Sequence, residues 1–112
     1  MKVRFMADLP APIFAFSIKT VKGTEITGTN TMFEKAFLEP VKAGAVKDIT
    51  FTQKMSLQGG EYLLSFGVTG YDGNDFQVYH RLYDALDLTV ISDKNTVGFY
   101  DMDSKVIVKE AE

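Results

Sequence analysis

From position 62 the side chains alternate without interruption: Tyr62, Leu64, Phe66 and Val68 point one way, and Leu63, Ser65, Gly67 and Thr69 the other. Period two predicts a strand with one face in a core. Shorter runs repeat the pattern. They predict strands over 2–7, over 13–21 with Phe14, Phe16 and Ile18 inward, and over 25–27. Further strands are predicted over 47–55 with Ile49, Phe51 and Met55 inward, over 76–83, over 86–91 and over 106–108, with a short extended piece at 97–100. No window of useful length carries a helical period.

Turn chemistry separates these runs. Leu9-Pro10-Ala11-Pro12 interrupts the ladder, because proline has no N–H to donate. Lys22-Gly23 predicts a hairpin, Gly28-Thr29-Asn30-Thr31 a bend, Gly70 to Asp75 and 92–96 loops, and Tyr83-Asp84-Ala85 a bend or bulge. Residues 32–44 are the least regular; Phe33, Phe37 and Leu38 there make one helical turn or plug an end of the fold. Just before the longest alternation stand Leu57, the pair Gly59-Gly60, and Tyr62. A leucine, a glycine turn and a tyrosine opening a central strand predict a tyrosine corner, whose hydroxyl bonds to backbone a few residues upstream. Seven or eight short strands at this spacing predict an all-β fold, an antiparallel β-sandwich of immunoglobulin-like or jelly-roll type.

The 112 residues suit a single domain spanning 1–112, and a hydrophobic content of 46% with nine Phe and five Tyr suffices for a core. A strand beginning almost at the first residue leads us to expect a piece of a longer protein. There is no cysteine, which excludes disulfides, thiolate metal sites and cysteine nucleophiles. A net charge of −3 with mixed signs gives no electrostatic footprint for nucleic acid, and no apolar run is long enough for a membrane span or a signal peptide.

Enzyme chemistry lacks its parts. His80 is the one histidine, with no Gly-x-Ser-x-Gly elbow to accompany it. Neither standard phosphate loop occurs, and a single nitrogen ligand without sulfur excludes structural zinc. Asp101-x-Asp103 and Asp72-x-Asn74 do not continue into a calcium loop. The expectation is a protein that is not an enzyme and takes no cofactor.

The informative stretch is residues 75–87. With Phe76 and Val78 inward, Gln77, Tyr79 and Arg81 share the exposed face, joined by Tyr83 if no bulge intervenes. On the neighbouring strand Ser65 and Gly67 point the same way and are small. Planar groups beside small ones make a shallow groove of the kind sugars favour, where rings stack and Gln or Arg bonds hydroxyls. Gln77, Tyr79, Arg81, Tyr83 and Ser65 are therefore the candidate carbohydrate-binding residues. The competing reading is that cross-strand Tyr and Arg simply shield a sheet face. Parity puts His80 on the core side.

Taken together, residues 12–31 with their Gly28-Thr29-Asn30-Thr31 element, the Leu57-x-x-Gly60-x-Tyr62 corner, and the strand from Asp84 to Val90 carry a resemblance. They resemble the C-terminal domain of Wzt-type ATP-binding subunits of ABC transporters, which export bacterial surface polysaccharide such as lipopolysaccharide O-antigen. The resemblance implies a β-sandwich that binds the finished polysaccharide, in the cytoplasm, as a homodimer formed by exchange of terminal strands. It also implies an ATPase domain upstream, which is not in this chain, and a transmembrane partner subunit contacted by the full-length protein. Direct membrane insertion is not implied. Family members usually carry a further strand before the position of Lys2, so the resemblance implies either that this sequence is a shortened piece or that an edge is left open for a partner. The second reading is a protein-interaction or dimerisation sandwich without glycan binding, working through the strand at 2–7 or at 106–108.

Overall fold

The computed structural model describes residues 1–94 and 97–111. Among these, six strands form: β1 Lys2–Arg4, β2 Ile13–Thr20, β3 Glu25–Asn30, β4 Val46–Asp48, β5 Gly60–Asp72 and β6 Asp75–Val90. They make an all-β antiparallel sandwich of two unequal layers. One sheet has four strands in the order β3-β2-β5-β6; the other is a two-stranded ribbon of β1 and β4.

The core lies where the ribbon covers the large sheet. Phe14 is fully buried and meets Phe5 edge to face, with ring centroids 6.1 Å apart, beside Val41 and Val68. A second cluster joins Phe16, Ile18, Leu57 and Tyr62, with Phe51 set edge-on to Phe16 at 4.8 Å. The predicted inward residues of β2 and β5 thus all turn to one side. The tyrosine corner is present: the Tyr62 hydroxyl donates to the Gln58 carbonyl at 2.6 Å. Gln58 in turn holds the segment at Tyr100, its N–H donating to the Phe99 carbonyl and its side-chain amide to the Tyr100 carbonyl. No buried side-chain polar atom lacks a partner among the described residues.

Several elements differ from the sequence expectation. Gly28, Thr29 and Asn30 belong to β3 rather than to a bend, because they pair with Ser17, Phe16 and Ala15 of β2. The turn comes at Thr31, whose hydroxyl accepts the Phe14 N–H, while the Asn30 side chain accepts the Phe33 N–H at 2.7 Å. Residues 31–35 make a single hydrogen-bonded turn, with the Glu34 N–H donating to the Asn30 carbonyl and the Lys35 N–H to the Met32 carbonyl. Phe33 and Phe37 stay exposed rather than plugging an end; of the three expected residues only Leu38 reaches the core. Of the alternation at 47–55 only Lys47 and Asp48 enter a strand, as the end of β4. The ribbon offers residues 49–55 no further strand to pair with, and an open groove of about 1170 Å³ lies between them and the inner face near β3. The expected loop at Gly70–Asp75 shrinks to the two residues Gly73 and Asn74, with Gly73 at φ +64° as a tight hairpin requires. The expected loop at 92–96 lies partly outside the described residues.

Residues 106–108 are not a strand. Val106, Ile107 and Val108 are 81%, 83% and 87% exposed on an arm that leaves the domain after Asp103. The chain's longest dimension is 69 Å and its radius of gyration 18.6 Å, against roughly 13 Å for a compact chain of this length. At its root Asp101 accepts hydrogen bonds from the Asp103 N–H and from Lys94, which together hold its carboxyl below the usual carboxylate range.

Candidate glycan-binding face

The large sheet has an inner face toward the ribbon and an outer face away from it. Residues paired across neighbouring strands share a face, so the register assigns every candidate. Phe16 and Phe66 pair on the inner face; Ser17 pairs with Ser65, and Ala15 with Gly67, on the outer. Gly28 of β3 continues the first of these rows opposite Ser17. The outer face therefore has a floor of small side chains across β3, β2 and β5.

β6 supplies the wall. Arg81 pairs with Gly67 and so stands on the outer face. Its guanidinium donates to the Tyr83 hydroxyl at 3.4 Å and lies 6.0 Å from the centre of the Tyr83 ring. Beyond Tyr83 the ladder is irregular: Leu64 pairs with Leu86 and Phe66 with Leu82, leaving Tyr83, Asp84 and Ala85 opposite Ser65 alone. This is the bulge predicted at 83–85. Asp84 takes φ +53°, and its N–H donates to the Ser65 hydroxyl at 2.9 Å. Its carboxylate accepts from Lys19 of β2 at 2.8 Å, across the floor. Tyr83, Arg81 and Ser65 thus meet on one surface, with Asp84, Lys19 and Ser17. Asp84 and Lys19 were not among the sequence candidates; the Tyr83-Asp84-Ala85 bulge signal located Asp84 without revealing its reach to Lys19.

Gln77 and Tyr79 do not join that surface. A second irregularity separates Val68–His80 from Thr69–Val78, which makes Tyr79 an extra residue and inverts the parity of everything before it. Gln77 pairs with Gly70, and a Cβ built on Gly70 would stand 2.9 Å from the Tyr79 ring, so both side chains lie on the inner side. Tyr79 is half-buried against the Phe5–Phe14 cluster. The expected inward placement of Phe76 and Val78 is overturned for the same reason: both are exposed, with Phe76 edge-on to Tyr71 at 5.5 Å.

His80 keeps its predicted parity, opposite Val68 on the inner side, but that side is open there. The ribbon is too narrow to reach β6, and an apolar cleft of about 470 Å³ remains between β1 and the β5–β6 hairpin. Val3, Phe5, Val68, Tyr79, His80 and Leu82 line it. Leu82 and Leu86 of β6 are about half exposed as a result. No group of three or more metal-ligating side chains is assembled among the described residues.

Comparison with known proteins agrees with this architecture. The profile of the family described as "Wzt C-terminal domain" matches residues 1–102. A solved structure titled "Crystal structure of the C-terminal domain of wzt" superposes with a TM-score of 0.86 at 30% identity, over 97% of this chain and 67% of that one. A search of curated proteins gave no significant match.

Proposed function

Because the chain belongs to the Wzt C-terminal domain family, we propose that it is a non-catalytic carbohydrate-binding domain recognising a bacterial surface polysaccharide for ABC-transporter export. In this reading residues 1–112 are the binding domain of a longer ATP-binding subunit at the cytoplasmic face of the membrane, and the polymer lies on the outer face. The observation that carries the reading is that Arg81, paired with Gly67 and bonded to the Tyr83 hydroxyl, stands beside the floor formed by Ser17, Ser65, Ala15 and Gly67. A floor without bulky side chains lets a sugar ring approach the sheet, while the Tyr83 ring and the Arg81 fork offer a stacking plane and planar donors.

The test is an amide NMR titration with whole surface polysaccharide from the source bacterium, with an unrelated glucan as control. Shifts confined to Ser17, Ser65, Gly67 and the stretch from Arg81 to Asp84, with the native polymer only, are expected. Tyr83→Ala and Arg81→Ala should each weaken binding about tenfold. A folded domain whose spectrum ignores the native polymer overturns the reading.

A second role, homodimerisation by strand exchange, is favoured by the exposed Val106–Ile107–Val108 arm and by the uncovered inner side of β6 in the same molecule. An apolar arm and an apolar cleft are each costly in water, and a second copy supplies an occupant for both. A particle that stays monomeric at high concentration overturns this role and leaves the glycan reading standing.

A further inference from the structure

Asp84 occupies a backbone conformation that glycine holds without strain and that L-residues rarely adopt. What aspartate adds there is a carboxylate. The bulge lifts that carboxylate over the floor, the Ser65 hydroxyl anchors its backbone, and Lys19 reaches it from β2, across β5, at 2.8 Å. The ion pair is only partly exposed, with the side chains of Lys19 and Asp84 at 26% and 43%. Surface pairs of this kind add little to stability, so the arrangement is poorly accounted for as a structural brace.

Its chemistry suits a ligand. A carboxylate only accepts hydrogen bonds and an ammonium only donates them, whereas a hydroxyl does both. Two neighbouring hydroxyls on a pyranose ring lie within hydrogen-bond distance of one another. One can therefore donate to Asp84 while the other accepts from Lys19, with the ring edge over Ser17 and its apolar face toward Tyr83. We propose that Asp84 and Lys19 form an acceptor–donor pair that reads a vicinal diol of a sugar in the glycan bound on the outer face. The proposal rests on the glycan reading above and names the group that reading leaves open.

The experiment compares the intact domain with Asp84→Gly, Asp84→Asn and Lys19→Gln by calorimetric titration against two probes. One is the native surface polysaccharide; the other is the same polymer after periodate oxidation, which cleaves vicinal diols. Asp84→Gly should keep or raise the thermal midpoint, since glycine suits the left-handed position. All three substitutions should weaken binding to the native polymer about tenfold. Oxidation should weaken binding to the wild-type domain and leave the Asp84 variants little further changed. Undiminished binding of the native polymer by folded Asp84→Gly and Asp84→Asn overturns this inference alone. Wild-type binding that survives oxidation overturns the diol while leaving a glycan site. Absence of any binding by the wild type overturns both readings together.

Discussion

The Tyr62 hydroxyl donates to the Gln58 carbonyl four residues upstream, at 2.6 Å and out of contact with water. The bond spans the glycine turn at Gly59 and Gly60, so it fixes the angle at which the chain enters β5. Because Gln58 also holds Phe99 and Tyr100, the same bond braces the root of the arm. Tyr62→Phe keeps the ring and leaves a buried carbonyl unpaired. It should cost about 1–3 kcal/mol, read as a lower urea midpoint with an unchanged slope.

Tyr79 and Tyr83 separate cleanly by face. Tyr79→Ala should leave polysaccharide affinity unchanged and cost about 1–2 kcal/mol of stability, because half a ring is lost from the inner cluster. Tyr83→Ala should do the reverse. Parallel titration and denaturation of the two variants checks this.

Gly28 faces the backbone of β2 at close quarters. A Cβ there would lie 2.7 Å from the Phe16 carbonyl oxygen and 3.1 Å from the Ser17 Cα. Neither atom can turn aside as a flexible side chain would. Gly28→Ala should destabilise the domain by about 1–3 kcal/mol, with the protection of the β2–β3 amides lost first in hydrogen exchange.

The arm prediction is one of assembly. Replacing Val106 and Ile107 together by Asp puts two charges where two apolar side chains are proposed to be buried. The dimer dissociation constant should rise about a hundredfold or more, seen by sedimentation, with far-ultraviolet dichroism unchanged.

The inner residues of β2 and β5, the tyrosine corner and the Asp84 bulge were legible because each leaves a local trace. Alternation marks a face, glycine beside a tyrosine marks the corner, and Tyr-Asp-Ala breaks an apolar run. The bulge at Tyr79 leaves none. Val78, Tyr79 and His80 are ordinary strand residues, so parity was carried through a point where the ladder slips, and Gln77 and Tyr79 were assigned to the wrong side. The alternation was real at Ile49 and Phe51 but insufficient, since a strand exists only against a neighbour, and Met55, expected inward, stays exposed. The reach of Lys19 to Asp84 joins residues far apart in sequence and could be found only once the register of β2, β5 and β6 was known.

The two-residue turn at Gly73 and Asn74 has a bearing on how the domain comes together. It closes the longest pair of strands through a minimal loop, whereas the ribbon must bring Met1 to Ile49, 48 positions away. Closure entropy grows with loop length, and hairpins form on a scale of about 1–10 μs. The order of assembly is thus set by connectivity: β5 and β6 zip early, and the N-terminal ribbon arrives last. A refolding chain therefore holds the β5–β6 wall of the outer face before it has a complete core. Slowing ribbon docking by mutation should lengthen the life of an intermediate whose β5–β6 amides are already protected.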